Sequence, residues 1–451
     1  MNIMDAKLCE KKKKRHIKLC DLIAISSISC LAVIFFTVGF FIQRYDLTKL
    51  ILDDRLEMRQ FTPHFKWWQN TSDVLVTCKV YVFSVTNAER WMNNLDEQLH
   101  FEEIGPIVYR ETLDHHNVVF HPENSTISYN SRRQLHFMSE LNESGILNKT
   151  IIIPNTAVLM YSDYNDRVNV RHGVQHGDNQ FFMINSYRNR PTVPGYIPEN
   201  GDCFASIVNS SEGALYQQNL DENSVIIYWR RTLCRAVPLY FERKVQRGPI
   251  LGYEYVLPDS SYDRLTNVSE DCYKGQNDFL ENGMTDMSKC YNGFPIAATS
   301  PHYYARNFTM ANKISGMQPN REKHYSYTIA EPTLGIPIDQ RARTQSNLVI
   351  PSLTGFSNDI QKFSNMILPM FWIEYHQNEL PLRIINLIRI FNIVKDIQSY
   401  LPFVFYALFI LLLLIALHKA WKIDSKYIQI PSVMIQEKCL QNNNNSELIK
   451  Q

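Results

Sequence analysis

Histidines supply the spacings in this sequence that come closest to a metal site. His115, His116 and His121 form HHxxxxH, and His172 with His176 forms HxxxH. Imidazole is a common zinc ligand, but the HxxxH spacing pairs two ligands only on a helix with further ligands nearby. The surrounding stretch RHGVQHGD contains two glycines and is typical of a loop. We therefore interpret these histidines as solvated loop residues and predict no metal site.

Other catalytic signatures are missing from the sequence. Neither a G-x-S-x-G nucleophile elbow nor a Walker loop occurs in the 451 residues. A formal net charge of +1 argues against a nucleic-acid binder, and 45% apolar with 20% charged residues suits a folded protein. We predict no catalytic residue, no cofactor and no nucleic-acid partner.

Two apolar stretches lie near opposite ends of the chain. Residues 22–42 (LIAISSISCLAVIFFTVGFFI) are uncharged and match the roughly 20 residues that cross a bilayer, and residues 401–417 (LPFVFYALFILLLLIAL) approach the lower limit. Tyr400 and Trp421 flank the second stretch, as interfacial aromatic residues do. A cleaved signal peptide is the alternative for the first stretch, but its length and lack of a small-residue cleavage site favour an uncleaved anchor.

Charge predicts the orientation of these two stretches. Residues 1–21 and 418–451 are net basic, while residues 43–400 carry a net charge of −5. Basic flanks stay in the cytoplasm. We therefore predict cytoplasmic tails at 1–21 and 418–451, transmembrane helices at 22–42 and 401–417, and an extracellular or lumenal domain at 43–400. The Lys11–Arg15 run fits this topogenic role, with binding of anionic lipid as the alternative.

Sequons and cysteines agree with a lumenal segment at 43–400. We predict glycosylation at the N-x-S/T sequons of this segment, namely Asn70, Asn124, Asn142, Asn148, Asn209, Asn267 and Asn307. Asn444 in the tail is interpreted as a chance match. Four clustered cysteines read as two disulfides with three connectivities open: Cys203, Cys234, Cys272 and Cys290. Cys78, in the strand-like VLVTCKVYVF, is interpreted as a buried thiol.

Short apolar or alternating runs bounded by Asn, Pro, Gly and Asp predict β-strands throughout 43–400. Examples are VLVTCKVYVFSV, SVIIYW, PLYFER, GYEYVL and HYSYTIA. FEEIGPIVYRE (101–111) reads as two strands around a tight Gly105–Pro106 turn. Helical periodicity is confined to residues 47–61 and 380–400. We predict one mainly β domain.

Several motifs in this domain resemble one known family. FEEIGPIVYRE resembles the E-x-G-P-x-x-Y-R-E signature of the class B scavenger receptors, the family of fatty acid translocase and lysosomal integral membrane protein two. Further stretches recur in the family's order: VYVFSVTNAERWMNN (80–94), PHYYA (301–305), GMQPNREKH (316–324), EPTLGIP (331–337), RTQSN (343–347) and LPMFWIEY (368–375). Because these cover most of residues 20–420, the sequence is identified as a member of this family.

The resemblance implies a mainly β fold with short helices (α+β). Its ectodomain would be an antiparallel β-barrel with a hydrophobic tunnel, anchored by the two transmembrane helices. It implies that Cys203 pairs with Cys272 and Cys234 with Cys290. It also implies a framework motif whose importance is architectural, made of Glu103, Gly105, Pro106, Tyr109, Arg110 and Glu111.

One part of the family pattern is missing from the sequence. Family members follow the strand that resembles NKTIIIPNTAVLM (148–160) with an apical helical bundle and an L-W-G-Y motif. Here only YSDYND (161–166) separates that strand from RVNVRHGVQHGDNQ. The apical helical bundle is therefore predicted to be missing, and ligand capture by it does not transfer. A naturally reduced receptor, a splice form and a gene model that lost an exon all explain the gap.

The resemblance implies a two-pass receptor for fatty acids, sterols or lipoproteins that conducts lipid through its tunnel toward the membrane, without enzymatic activity. It would reside in the plasma membrane, with endosomal or lysosomal membranes as further locations. A two-span ligand-gated ion channel of purinergic type is the alternative, although that family has ten ectodomain cysteines and five are present here. A two-span ectonucleotidase would need an Asp-Gly-rich phosphate loop, which is not found.

The tails carry weaker signals. YIQI (427–430) fits the Y-x-x-Φ sorting motif through Tyr427 and Ile430, close enough to the second span for an endocytic adaptor to bind. SELI, near the C-terminus, lacks the acidic residue that a dileucine signal needs, because position 444 is Asn. Cys20 lies beside the first span and is a palmitoylation hypothesis.

Overall fold

The computed structural model describes residues 19–46, 58–70, 74–153, 163–172, 180–201, 203–263, 272–273 and 280–428. The chain divides into two compact units. One comprises residues 1–52 with 390–451, and the other comprises residues 53–389.

The helices within the described residues are two long ones near the ends and several short ones between the strands. They are α1 (Leu19–Arg44), α2 (Pro63–Gln69), α3 (Ala88–Met92), α4 (Arg321–His324), α5 (Asn358–Gln361) and α6 (Leu382–Ile428). The long helices α1 and α6 are apolar and long enough to cross a membrane. Residues 382–400, where the sequence predicts a helix, and the apolar stretch after them form one continuous helix, α6, with Pro402 inside it.

In the first unit, aromatic side chains hold α1 against the apolar part of α6. The ring centroids of Phe35 and Phe405 are 5.7 Å apart. The Tyr406 hydroxyl donates to Gln43 Oε1 at 2.6 Å. A side chain at Gly39 would meet the Cβ of Phe405 at 3.1 Å, so glycine permits this close approach. Most remaining large apolar side chains of the two helices are exposed, as in segments that face lipid.

The second unit is built from strands rich in β-branched and aromatic residues, which favour extended backbone. The strands are β1 (Leu75–Val85), β2 (Leu99–His121), β3 (Thr126–Phe137), β4 (Asp163–Arg171), β5 (Ile184–Tyr187), β6 (Val225–Arg230), β7 (Arg235–Arg247), β8 (Ile250–Val256), β9 (Thr285–Asp286), β10 (Ile296–Thr299), β11 (Ile314–Ser315), β12 (Tyr327–Ala330), β13 (Pro337–Ile350) and β14 (Met366–Glu379). The prediction of a mainly β domain with few helices is confirmed.

The strands form one antiparallel ladder in the order β5-β4-β3-β2-β1-β14-β13-β12-β8-β7-β6. β10 adds to β13 and β9 adds to β10, while the two-residue β11 pairs in parallel with β2. The first and last parts of the domain meet at the centre, because β1 pairs with β14 on one side and β2 on the other.

The ladder is an open sheet whose two end strands bind the same short segment. Ile184 of β5 donates its N–H to the carbonyl of Ser210 at 2.8 Å and accepts from the N–H of Asn209 at 2.9 Å. Ser211 donates to the carbonyl of Ile227 in β6 at 2.8 Å and accepts from the N–H of Trp229 at 2.8 Å. Residues 209–211 therefore connect the ends of a sheet that the resemblance predicts to be a barrel.

Two disulfides lie in the half of the domain between β5 and β10. Cys203 bonds to Cys272, with 5.5 Å between their Cα atoms, and Cys234 bonds to Cys290, with 6.2 Å. This is the pairing that the family resemblance implies. By loop-closure entropy each contributes roughly 4 kcal/mol, since each closes more than fifty residues.

The Gly105–Pro106 pair does not turn the chain, which corrects the prediction from its sequence. β2 continues from Leu99 to His121, and the pairing register with β1 shifts between Val80 and Val82, which is a β-bulge. Gly105 has a φ of +148°, and a Cβ there would lie 2.8 Å from the Val80 carbonyl oxygen. Glycine allows that backbone and proline needs no ladder hydrogen bond, so the same residues that make turns also make this bulge.

Candidate functional site

Glu103 of β2 is the centre of a polar cluster. Its Oε2 accepts a hydrogen bond from His302 Nε2 at 2.6 Å and another from Trp372 Nε1, on β14, at 2.6 Å. Burial raises the pKa of this carboxyl, but these two hydrogen bonds outweigh burial and hold the pKa below its usual range. Glu103 therefore accepts as a carboxylate.

Histidine stacking completes this Glu103 cluster, which we define as Glu103, His302, His324 and Trp372. The N–H of Gln318 donates to His302 Nδ1 at 3.1 Å, so the ring proton of His302 lies on Nε2, toward Glu103. The His302 and His324 rings stack with centroids 4.7 Å apart. Burial lowers the pKa of His324 to about 4, so its imidazole is neutral at pH 7.

A buried hydrogen-bond network extends from the cluster. The backbone N–H of His302 donates to Gln345 Oε1 at 2.7 Å, and Gln345 Nε2 donates to Asn347 Oδ1 at 2.8 Å. The Tyr303 hydroxyl donates to the same Asn347 oxygen at 2.8 Å. The motifs around 103, 301, 316, 343 and 368 thus meet in one hydrogen-bonded network, which fits an architectural role. His324 Nδ1 is buried without a hydrogen-bond partner in the described part of the chain.

A buried ion triad lies on neighbouring strands. Glu374 of β14 accepts from Lys79 Nζ at 3.0 Å and from Arg343 Nε at 2.7 Å. Arg343 and Glu374 are both about 4% exposed. Burial raises the pKa of Glu374, but the charges of Arg343 and Lys79 lower it below its usual range. These buried charges are therefore paired, as native interiors require.

The opposite face of β1 is apolar. The buried residues Cys78, Val80, Val82, Ile107 and Ile146 form a separate cluster, which we call the apolar wall. Half-buried side chains of β2, β3 and β14 pack against it, namely Ile104, Tyr109, Leu135, Phe371, Ile373 and Tyr375, together with Ile151. Burial raises the pKa of the Cys78 thiol to about 12, so this thiol is unreactive, as its sequence context predicts.

The apolar wall ends at a charged pair. Glu111 lies two residues beyond Tyr109 on β2, and Arg133 lies two residues before Leu135 on β3, so both share the side of the sheet that carries the wall. Arg133 Nη1 donates to Glu111 Oε1 at 2.7 Å. Next to Arg133, Glu212 accepts from the Tyr129 hydroxyl at 2.6 Å, and burial raises the pKa of Glu212. The arrangement joins an apolar surface to a polar end.

The histidines considered for metal binding lie elsewhere, and the prediction of solvated loop residues is wrong for His115. His115 is buried in β2, where its Nδ1 donates to the Trp68 carbonyl at 2.7 Å and its ring stacks on Trp68. His121 Nε2 is 2.9 Å from Ser128 Oγ. His176 lies outside the described residues. Within the described part of the chain, no three His, Cys, Asp or Glu residues lie close enough to hold a metal ion.

The predicted glycosylation sites differ in environment. Five are exposed, at Asn70, Asn124, Asn148, Asn209 and Asn307. Asn142 is half-buried, and its Nδ2 donates both to the Val108 carbonyl at 2.9 Å and to the Met138 carbonyl at 2.6 Å. Its Oδ1 accepts from the Val108 N–H at 2.8 Å, so this amide is part of the fold. Asn267 lies outside the described residues.

The remaining predicted residues lie in or near the long helices. Cys20 is exposed at the start of α1. Tyr427 is near the end of α6, and Ile430 lies outside the described residues. Between β3 and β4 only residues 154–162 lie outside the described residues. The rest of that connection contains two single 3-10 turns, Ser139–Leu141 and Ile146–Asn148.

Three known proteins are similar in sequence to this chain over about two thirds of its length. "Protein peste" of Drosophila melanogaster is 21% identical over 376 residues, covering 69% of this chain and 67% of the relative. "Lysosome membrane protein 2" of Homo sapiens is 21% identical over 386 residues, covering 71% of this chain and 78% of the relative. "Scavenger receptor class B member 1" of Sus scrofa is 22% identical over 364 residues, covering 65% and 69%.

A family model matches nearly the whole described chain. The CD36 family matches residues 27–166 and 160–420. The two matched segments overlap at 160–166, where the family resemblance predicts that an apical helical bundle is missing. Together they include most of both long apolar helices and every strand of the sheet. The chain therefore belongs to the CD36 family of class B scavenger receptors.

Proposed function

We propose that this chain is a two-pass receptor that binds lipid or lipoprotein ligands and conducts fatty acid or sterol through a tunnel in its ectodomain toward the membrane. The observation that carries the proposal is the family match over residues 27–166 and 160–420. The role requires no catalytic residue and no cofactor. Capture of lipoprotein by an apical bundle is not included, because the sequence lacks that segment.

The apolar wall supports a lipid ligand. Val80, Val82 and Ile107 are buried aliphatic residues on one side of the sheet, and half-buried apolar side chains pack against them. The Glu111–Arg133 pair follows these residues along the same side. Contact with apolar surface stabilises a hydrocarbon chain by about 25 cal/mol per Å² removed from water. A polar end beside an apolar surface suits an amphiphile, whose head group needs hydrogen bonds when its tail leaves water.

Leu135 offers a direct test of conduction along the wall. It is half-buried and packs against the wall, whereas its neighbour Gln134 points to the opposite side of β3. We expect Leu135→Trp to lower uptake of fluorescent cholesteryl ester or fatty acid by cells that express the full-length chain, because the larger ring would narrow the proposed tunnel. The matched Gln134→Trp variant should take up lipid like the parent chain at equal surface level. Equal uptake by both variants would contradict conduction along this wall.

Orientation and location are part of the same proposal. Both tails would lie in the cytoplasm and residues 43–400 outside it, in the plasma membrane with passage through endosomes or lysosomes. The basic tails and the exposed sequons support this orientation. Epitope tags at either end should bind antibody only after the cells are permeabilised. Staining of either tag on intact cells would overturn the topology.

Sorting through the C-terminal tail is a separate proposal. Tyr427 and Ile430 would bind an endocytic adaptor, and Cys20 would carry a palmitoyl group beside the membrane. We expect Tyr427→Ala to slow internalisation of surface-labelled receptor, while Tyr400→Ala in α6 leaves the rate unchanged. Metabolic labelling with a palmitate analogue should be lost in Cys20→Ser.

The origin of the shortened segment between 155 and 170 can be tested by sequencing. Sequencing the transcript across codons 155–170 distinguishes a reduced receptor from a splice form or a lost exon. A transcript with no further sequence between these codons would support a receptor that lacks the bundle.

A further inference from the structure

Arg230 is a buried cation without a counterion among the described residues. It ends β6 and is 3% exposed. Its Nη1 donates to Ser326 Oγ at 3.1 Å. Its Nε and Nη2 are buried and meet no hydrogen-bond partner in the described part of the chain. Native proteins pair buried charges or bind ligands with them, because an isolated buried ion is strongly destabilising.

Hydrogen-bond donors and a second cation surround this guanidinium. The charged and titratable groups that interact with it are Tyr228, Tyr262, Tyr304 and Arg343. Arg343 is already paired with Glu374. Burial raises the pKa of Tyr228, Tyr262 and Tyr304, so all three hydroxyls stay neutral at pH 7. The surroundings therefore favour an anion over a cation.

The two nitrogens without partners define the shape of the anion. The N–H groups of Nε and Nη2 point in parallel along one edge of a guanidinium, and this edge matches the two oxygens of a carboxylate. Tyr228 also interacts electrostatically with Arg133 and Glu111, the charged pair that follows the apolar wall. An anion bound here would have an apolar surface close by.

We propose that Arg230, with Tyr228 and Tyr262, forms a subsite for the carboxylate head group of an amphiphilic lipid acid. The subsite rests on the proposed function for the apolar part of its ligand. It adds a preference for a charged lipid over a neutral lipid of the same chain length. The carboxylate accepts from Nε and Nη2, and no bond is made or broken.

The test uses the purified full-length chain in nanodiscs of neutral lipid. Thermal unfolding is followed with oleate, with oleyl alcohol and with acetate, for the parent chain and for Arg230→Met, Arg230→Lys and the control Arg190→Met. Arg190 is exposed and pairs with Glu199, so it controls for loss of a positive charge. Methionine keeps the volume without the charge, and lysine keeps the charge without the parallel edge.

We expect Arg230→Met to bind oleate roughly 10- to 100-fold more weakly than the parent chain, the range for losing hydrogen bonds to a charged group. Oleyl alcohol should bind both equally, and Arg230→Lys should bind oleate with intermediate affinity. If Arg230→Met does not fold, Arg230→Lys decides the question. Parent-like oleate affinity in the variant that folds overturns the subsite and leaves the proposed function standing.

Failure of the proposed function gives a different result. In that case neither oleate nor oleyl alcohol raises the melting temperature of the parent chain. The acetate arm then decides the subsite alone. A saturable rise with acetate in the parent chain that Arg230→Met lacks supports an anion site, and no rise in the parent chain overturns it.

Discussion

The Glu103 cluster and the Arg230 subsite are two polar regions of the same sheet that differ in how far their buried groups are hydrogen-bonded: Glu103 is a third exposed and meets buried donors, whereas Arg230 is itself buried. Glu103 accepts from His302 and Trp372, and His302 is in turn held by the Gln318 N–H. Arg230 has one hydrogen bond to Ser326, and two of its nitrogens find no acceptor within the described residues. Glu103 is hydrogen-bonded to two donors, whereas Arg230 lacks acceptors for two of its nitrogens. We call the first region closed and the second region open.

This difference separates architecture from binding. A closed network stabilises the fold, and removing any member leaves its partners buried and unsatisfied. An open charge weakens the fold in the absence of a ligand, so its presence points to function. The comparison predicts that substitutions in the two regions change stability in opposite directions.

Breaking the closed region should have the largest effect. Glu103→Leu removes two hydrogen bonds to a carboxylate and leaves His302 and Trp372 without an acceptor. Because the Glu103 side chain is a third exposed, solvent screens these bonds in part, and we expect a loss of about 2–4 kcal/mol in the free energy of unfolding. Urea denaturation of the purified chain measures it. The neighbouring Glu102→Leu, at an exposed position on the other face of β2, should change stability by less than about 0.5 kcal/mol. Equal effects of the two variants would contradict the framework role.

The second largest effect is expected from acid, which should destabilise the fold by protonating two buried histidines. Burial lowers the pKa of His324 to about 4 and of His115 to about 3, from an ordinary value of 6.5. The unfolded chain therefore binds protons more readily, and stability present above pH 6.5 is lost as the pH falls toward the folded values. Between pH 7 and pH 5 each histidine lowers the free energy of unfolding by about 2 kcal/mol. A urea midpoint that is the same at pH 7 and pH 5 would contradict this assignment.

Asn142 extends the comparison to a predicted glycosylation site. The side-chain amide of Asn142 is hydrogen-bonded to the backbone of Val108 and Met138, whereas Asn148 is exposed. We expect Asn142→Ala to cost about 1–3 kcal/mol of stability through lost hydrogen bonds. Asn148→Ala should leave stability unchanged and remove one glycan from the mass of the secretory form. A glycan on Asn142 replaces one of the two amide hydrogens. Glycosylation of Asn142 in stable, folded protein would therefore contradict the prediction that the fold needs both hydrogen bonds.

The smallest effect is expected at Arg230, and its sign sharpens the comparison most. Arg230→Met removes a buried charge that lacks a counterion in the described residues, so ligand-free stability should stay equal or rise by about 1 kcal/mol. Arg133→Met is the matched control, because it leaves Glu111 buried without its cation and should cost about 3 kcal/mol. Similar losses in both variants would mean that Arg230 is a structural residue.

The sequence predicts the strands better than it predicts these sites. Alternating apolar residues in 75–85 predict a strand with two different faces, and the structure has a strand at Leu75–Val85. The Gly105–Pro106 pair is ambiguous from sequence, because glycine and proline occupy both turns and bulges. The helix predicted over residues 380–400 is present. The sequence does not show that this helix continues past Pro402 into the apolar stretch, because proline often ends a helix.

The polar sites are hidden from sequence for a different reason. Glu103 lies 199 residues from His302 and 269 from Trp372, so the family motifs identify the residues without showing that they touch. Arg230 stands in WRR at a strand end, where an exposed basic pair is the ordinary interpretation. His115 lies in a histidine-rich run that suggests a loop, but its alternation along β2 buries it against Trp68.

The central claim is that this chain binds lipid within its sheet domain, and photocrosslinking tests it most directly. Cells that express the full-length chain are given a photoreactive, clickable fatty acid, irradiated, and the labelled peptides are identified by mass spectrometry. We predict labelled peptides from β1, β2, β3 and β14, which carry the apolar wall. Label confined to α1 and α6, or no more label than on an unrelated two-span glycoprotein, would contradict the account.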